Sequence, residues 1–223
     1  MSKLSRKLLA LFLAGATTSA VADITVGVTL SATGPAASLG IPEKNTIALL
    51  PKSIGGQTMN YVVLDDATDP TAASKNARKL TSEDKADVIL GSSTTPTCIA
   101  VLEVAAETKT PMIALAPFAP AADKAAWVFQ APQDFGIMAG AVVGHMLANG
   151  VKTVAFIGYS DGYGELWLRV MNGVTAARGI KMVATESFNR TDTSVTGQIL
   201  KILNDKPDAV LVVGSGTPAV LPQ

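Results

Sequence analysis

The chain has 223 residues, 48% of them hydrophobic, with 18 basic and 18 acidic side chains and one histidine. That is enough apolar material for one large or two small cores, and nothing basic is clustered, which disfavours a nucleic acid or an anionic membrane surface as a partner. A single cysteine, Cys98, allows no internal disulfide.

At the start, Lys3, Arg6 and Lys7 precede an apolar run over 8–14, and Ala20, Val21 and Ala22 place small residues before Asp23. This pattern predicts a secretory signal peptide over 1–22, cleaved before Asp23. The exported remainder is expected to be soluble and periplasmic, without membrane insertion, because no later stretch approaches the ~18 apolar residues of a span. Its balance becomes slightly acidic, since all three leader charges are basic.

In chain order, strand-like apolar runs occupy 24–30, 60–65, 87–91, 112–115, 153–158, 181–185 and 208–213. Their near-continuous apolar character predicts parallel sheets covered on both faces. Helices fall between them. Asp69 and Pro70 predict a capped helix running to about Thr81, and 97–108 carries apolar residues at helical spacing. Pro51 and the Gly55-Gly56 pair are expected to leave an irregular stretch before the second strand. The segment 116–132, rich in Ala and Pro around Trp127 and Phe129, interrupts the alternation and is the expected crossing between lobes. The expectation is an α/β protein with lobes at 23–131 and 132–223, the second incomplete.

The most informative stretch is 87–97. A buried strand runs through Gly91 into a helix started by Pro96, and Ser92, Ser93, Thr94 and Thr95 lie between them. Hydroxyls beside the unpaired amides of a helix N-terminus suit a small anion, here a ligand carboxylate. The competing reading makes Thr95 a helix cap and the other hydroxyls solvated.

Taken together, the segments 23–35, 63–70, 91–96 and 163–165 resemble, in order and spacing, the periplasmic solute-binding proteins of the leucine/isoleucine/valine-binding type. The resemblance implies two α/β lobes closing over a ligand, with delivery to the permease of an ABC transporter. It implies capture without chemistry or cofactor. The carboxylate-contacting run matches Ser92 to Thr95, and the second-lobe cleft tyrosine matches Tyr163. Pro117 and Phe118 stand where an amino-acid binder offers a small residue and a threonine, Leu39 stands at an aromatic position, and a later tyrosine falls near Gly216 and Thr217. A proline without an amide and a phenyl ring without a hydroxyl weaken the fit to an ordinary α-amino acid. The implied ligand is a small carboxylate, a branched-chain amino acid or an aromatic or other apolar acid. Such proteins run longer, so the chain is expected to stop inside the second lobe. A ligand sensor on the same fold is the alternative partner class.

Other patterns carry competing readings. Gly158 to Gly162 fits a nucleophile elbow around Ser160, but the only histidine, His145, precedes it. Gly214 to Ala219 fits a dinucleotide-binding turn, for which turn glycines are the simpler account. Asp65, Asp66 and Asp69 lack calcium-loop spacing and read as strand-end and capping residues, not a metal site. Trp167, Leu168 and Val170 read as core.

Overall fold

The structure is a computed structural model and describes residues 23–223. The leader expected over 1–22 lies outside the described residues. Two sheets organise the chain. The first has six strands in the order β2-β3-β1-β4-β5-β6, built from β1 (Ile24–Leu30), β2 (Ser53–Ile54), β3 (Gln57–Asp65), β4 (Val88–Gly91), β5 (Met112–Ala114) and β6 (Val128–Gln130). The second has three, in the order β8-β7-β9, from β7 (Thr153–Tyr159), β8 (Lys181–Phe188) and β9 (Ala209–Val213). Every pairing is parallel except the β2–β3 hairpin. Around these sheets pack α1 (Ala37–Leu49), α2 (Pro70–Ser82), α3 (Thr95–Thr108), α4 (Phe135–Ala148), α5 (Gly162–Ala177) and α6 (Thr196–Asn204). No helix among the described residues is long and apolar enough to cross a membrane.

The central strands carry the sequence signal. Residues 26–30 of β1 and 154–159 of β7 are buried without interruption, as a strand packed on both faces requires. Val101, Leu102 and Val104 of α3 join Ile89 and Met112 in the first core, each contributing ~1.5–3 kcal/mol on full burial. The second lobe packs Trp167 and Met171 of α5 against Phe156 of β7 and Phe135 of α4.

Three local expectations change. The stretch after Pro51 is ordered as a hairpin, because Gly55 and Gly56 adopt φ of +60° and +84° and so form the tight turn joining β2 to β3. The interruption at 116–132 contains β6, whose Val128, Phe129 and Gln130 pair with Met112, Ile113 and Ala114. Helix α3 also begins one residue early, capped by Thr94 with Thr95 as its first residue and Pro96 second.

The two sheets share one winding. In each, the first strand lies between the second long strand and the third, so the chain reverses direction across the sheet beside β1 and beside β7. An aspartate before the third strand ties each reversal at its far end. Asp87 accepts the Thr25 amide at 2.8 Å, and Asp208 accepts those of Lys152 and Thr153 at 2.9 and 2.8 Å. Ligands of open parallel sheets bind outside the carboxyl ends of the strands at such reversals.

Candidate functional site

The carboxyl ends of both sheets meet at one cleft. Gly162, at the start of α5, lies against Thr95 and Ile99 of α3, so the first turns of these two helices face each other. Between the lobes is a cavity of about 250 Å³ whose lining includes Leu39, Glu43, Ser93, Thr95, Tyr163 and Arg190.

The loop after β4 is held from beneath. Gly91 has φ of +132°, and a Cβ there would stand 2.0 Å from the Thr29 carbonyl oxygen, so no larger residue fits where β4 ends against β1. Asp66, fully buried, accepts the hydroxyls of Thr29, Ser31 and Ser92 at 3.0, 2.7 and 2.6 Å and the Thr68 amide at 3.1 Å. These bonds join the ends of β1, β3 and β4 and satisfy the buried carboxylate. Cys98 holds the Ser92 peptide from the other side, its sulfur accepting the amide at 3.2 Å and donating to the carbonyl at 3.0 Å.

The hydroxyls expected to face a ligand are therefore committed within the protein. Ser92 serves Asp66 and does not reach the cavity, which corrects its expected role. Ser93 donates to Glu43 and accepts the Ser31 amide at 3.0 Å. Thr94 pairs with Thr97, 2.7 Å between hydroxyls, and Thr95 donates to the Pro117 carbonyl at 2.7 Å. Donors still open at this helix start are the backbone amides of Ser93 and Thr95, for which the described residues supply no acceptor.

Of the residues singled out by sequence, Leu39, Ser93, Thr94, Thr95, Pro117 and Tyr163 line the cavity together. Phe118 does not. It is 4% exposed in the first core, with its amide donating to the Gln130 side chain at 2.9 Å, because the loop after β5 folds back over β6. Thr217 also stands outside the lining; its amide donates to the Ser38 hydroxyl at 2.9 Å, and Ser215 takes the place in the cavity.

Two charged residues at the cavity escaped the sequence reading. Arg190 follows β8, and its Nε donates to Asp161 at 2.7 Å while Nη1 reaches the Ser215 hydroxyl at 3.3 Å. Its guanidinium lies 4.0 Å from the Tyr159 ring centroid, so the fork is held by an ion pair below and an aromatic face beside it. Asp161 uses its other oxygen to cap α5, accepting the Tyr163 and Gly164 amides at 2.9 and 3.3 Å. Glu43 is the opposite charge. Burial pushes its carboxyl above the usual range, the Ser93 hydroxyl works against that, and Asp66 adds repulsion.

The remaining motifs resolve into local structure. Ser160 donates to Asn189 at 2.7 Å, and the His145 ring stands 3.4 Å from Asn149. Asp69 caps α2, accepting the Ala72 amide at 2.7 Å. The turn at 214–216 leads into a four-residue 3₁₀ helix, Thr217–Val220, too short to offer the helix N-terminus of a dinucleotide site.

Comparison with known proteins fits this architecture. No curated protein gives a match. An extracellular ligand-binding receptor from Rhodopseudomonas palustris HaA2 is 51% identical, with a TM-score of 0.88 over 90% of this chain and 56% of its own. Another such receptor from Rhodopseudomonas palustris is 49% identical, with a TM-score of 0.89 over 91% and 56%. A benzoate-bound ABC-transporter solute-binding protein from R. palustris shares the fold at 22% identity, with a TM-score of 0.79 over 90% and 57%. The chain thus spans little more than half the length of these neighbours. The family model for periplasmic binding proteins matches residues 23–223. The chain belongs to the periplasmic binding protein family, with the type I α/β fold.

Proposed function

We propose that this protein captures a small aromatic or other apolar carboxylate in the interlobe cavity and, in the periplasm, presents it to the permease of an ABC importer. One observation carries the reading. The cavity lies where both sheets reverse, with Arg190 on the second-lobe side and the opening turn of α3 on the other. A guanidinium with an open edge and a helix N-terminus together favour a carboxylate. Leu39, Leu115, Pro117 and Met138 supply apolar walls, and about 250 Å³ is below the ~300 Å³ lower end of drug-sized pockets.

Pro117 brings no amide to the wall, which disfavours an ordinary α-amino acid, and the distant benzoate-bound neighbour shows that this fold accommodates an aromatic acid. The lobes are taken as 23–131 and 132–223, with Tyr163 closing the cavity from the second. The role is capture, with no covalent chemistry assigned to Ser160.

The test is calorimetric titration with benzoate, 4-hydroxybenzoate and L-leucine, on the native chain and on Arg190→Met. Binding of an aromatic acid, weakened roughly tenfold to 150-fold in the variant, is the expected result, since a hydrogen bond to a charged group is worth ~1.5–3 kcal/mol. Preference for L-leucine over both acids, or an Arg190→Met variant that binds as well as the native chain, contradicts it.

A further inference from the structure

Acid capture leaves one charged side chain at the cavity without a task. Glu43 stands one helical turn beyond Leu39 on α1, and both line the cavity. Its Oε2 accepts the Ser93 hydroxyl, while Oε1 has no partner among the described residues. Nor does any cation pair with it there. Partly buried, it sits near a second carboxylate, Asp66, whose own donors are all supplied from within the protein. A carboxyl in that position needs a donor, and none of the donors lining the cavity is bonded to Oε1.

We propose that Glu43 reads a second polar group on the ligand, an O–H or N–H donor borne by the apolar body of the acid. This rests on the cavity being the acid-binding site. The two ends of the ligand are sorted by charge. Arg190 and Glu43 are the two charged side chains of the cavity lining and are opposite in sign, so the carboxylate belongs at the Arg190 end. The Ser93–Glu43 pair forms the other polar contact, where a second carboxylate would be repelled and a donor accepted. An unsubstituted or methyl-substituted acid leaves Oε1 desolvated and unpaired, and a site built to bond a donor discriminates strongly against analogues lacking it.

The experiment is calorimetric titration of the full chain with 3- and 4-hydroxybenzoate, 4-(aminomethyl)benzoate and the 3- and 4-methylbenzoates, repeated on Glu43→Leu and Glu43→Gln. In the native chain at least one donor-bearing acid should bind about tenfold or more tightly than its methyl counterpart. Glu43→Leu should bring that ratio to within about threefold of unity. Glu43→Gln keeps an acceptor without the charge, so it should preserve preference for a hydroxyl and lose preference for the aminomethyl cation. A ratio between two ligands cancels general loosening of the cleft, so a merely structural role for Glu43 would not move it. Native binding with ratios near one, or a preference that survives Glu43→Leu, overturns the proposal. If Glu43→Leu fails to fold, an undiminished aminomethyl preference in Glu43→Gln overturns it too. No binding of any of these acids by a natively folded chain overturns the acid-site reading itself, and the role of Glu43 with it.

Discussion

Glu43 and Cys98 show how single residues at the cleft respond to burial. The Glu43 carboxyl is held above its ordinary value of 4.5 chiefly by desolvation, so the folded chain binds its proton more tightly than the unfolded chain does. Its contribution to stability is therefore fully present below pH 4.5 and is lost as pH rises through the folded value. Compared with Glu43→Gln, whose amide does not titrate, the native protein should lose relative stability as pH rises from 4 upward. Thermal midpoints of the pair across pH 4–8 measure this, and a difference independent of pH contradicts it. Cys98 is fully buried, and burial pushes its thiol up to about 12, so it is neither exposed nor ionised near neutrality. Iodoacetamide at pH 8 should leave it unmodified in the folded chain and alkylate it readily in guanidinium; fast modification of the folded chain would mean the loop at Ser92 opens.

At the scale of elements, the long strands were legible because burial on both faces writes a continuous apolar run, and the capped start of α2 was legible because Asp69 and Pro70 mark it locally. β6 was not legible. Three residues among alanines and prolines become a strand only because β5 offers an open edge to pair with. The Ser/Thr run lies at the strand-to-helix junction that the sequence marks, but the inward engagement of its hydroxyls was not legible, because Asp66, Glu43 and Pro117, which engage them, lie far away in sequence. Glu43 had a signal after all, four residues beyond Leu39 on the same helical face. Arg190 had one too, standing just past the carboxyl end of a strand beside the second reversal.

The common winding of the two sheets puts the loops after β1, β3 and β4 opposite those after β7, β8 and β9, although no repeat is visible in the sequence. Asp161 is the element-level joint, since it caps α5 with one oxygen and aims Arg190 with the other. Asp161→Ala should cost ~1 kcal/mol of stability from the cap. It should also weaken acid binding, whereas Asp134→Ala, removing the equivalent cap of α4, should cost similar stability and leave binding within about twofold. Denaturant melts and titrations of both variants check this, and equal loss of binding in the two would remove Arg190 from the site.

For the whole molecule, the cavity belongs to neither lobe alone, because its wall is shared between α1, the loops after β4 and β5, and the segments around Tyr163 and Arg190. On the proposed function, ligand capture would couple the lobes. A bound acid should tighten the pair, reduce the radius of gyration in solution scattering and raise the thermal midpoint with ligand concentration. The first sheet also carries an apolar groove of about 540 Å³, lined by Val26, Ile54, Met59, Leu90 and Ile113, with Ile54 53% exposed. Exposed apolar surface of this kind predicts dye binding and self-association that the acid does not suppress.

The most direct measurement sets an acid against its uncharged relative. Calorimetry of the native chain with benzoate and benzamide, at matched temperature and salt, compares two ligands of nearly equal shape that differ in the charge Arg190 and the α3 N-terminus would engage. The account predicts that benzoate binds at least about tenfold more tightly and that Arg190→Met removes most of the difference. Equal affinity for the two, or a preference for the amide, would contradict it.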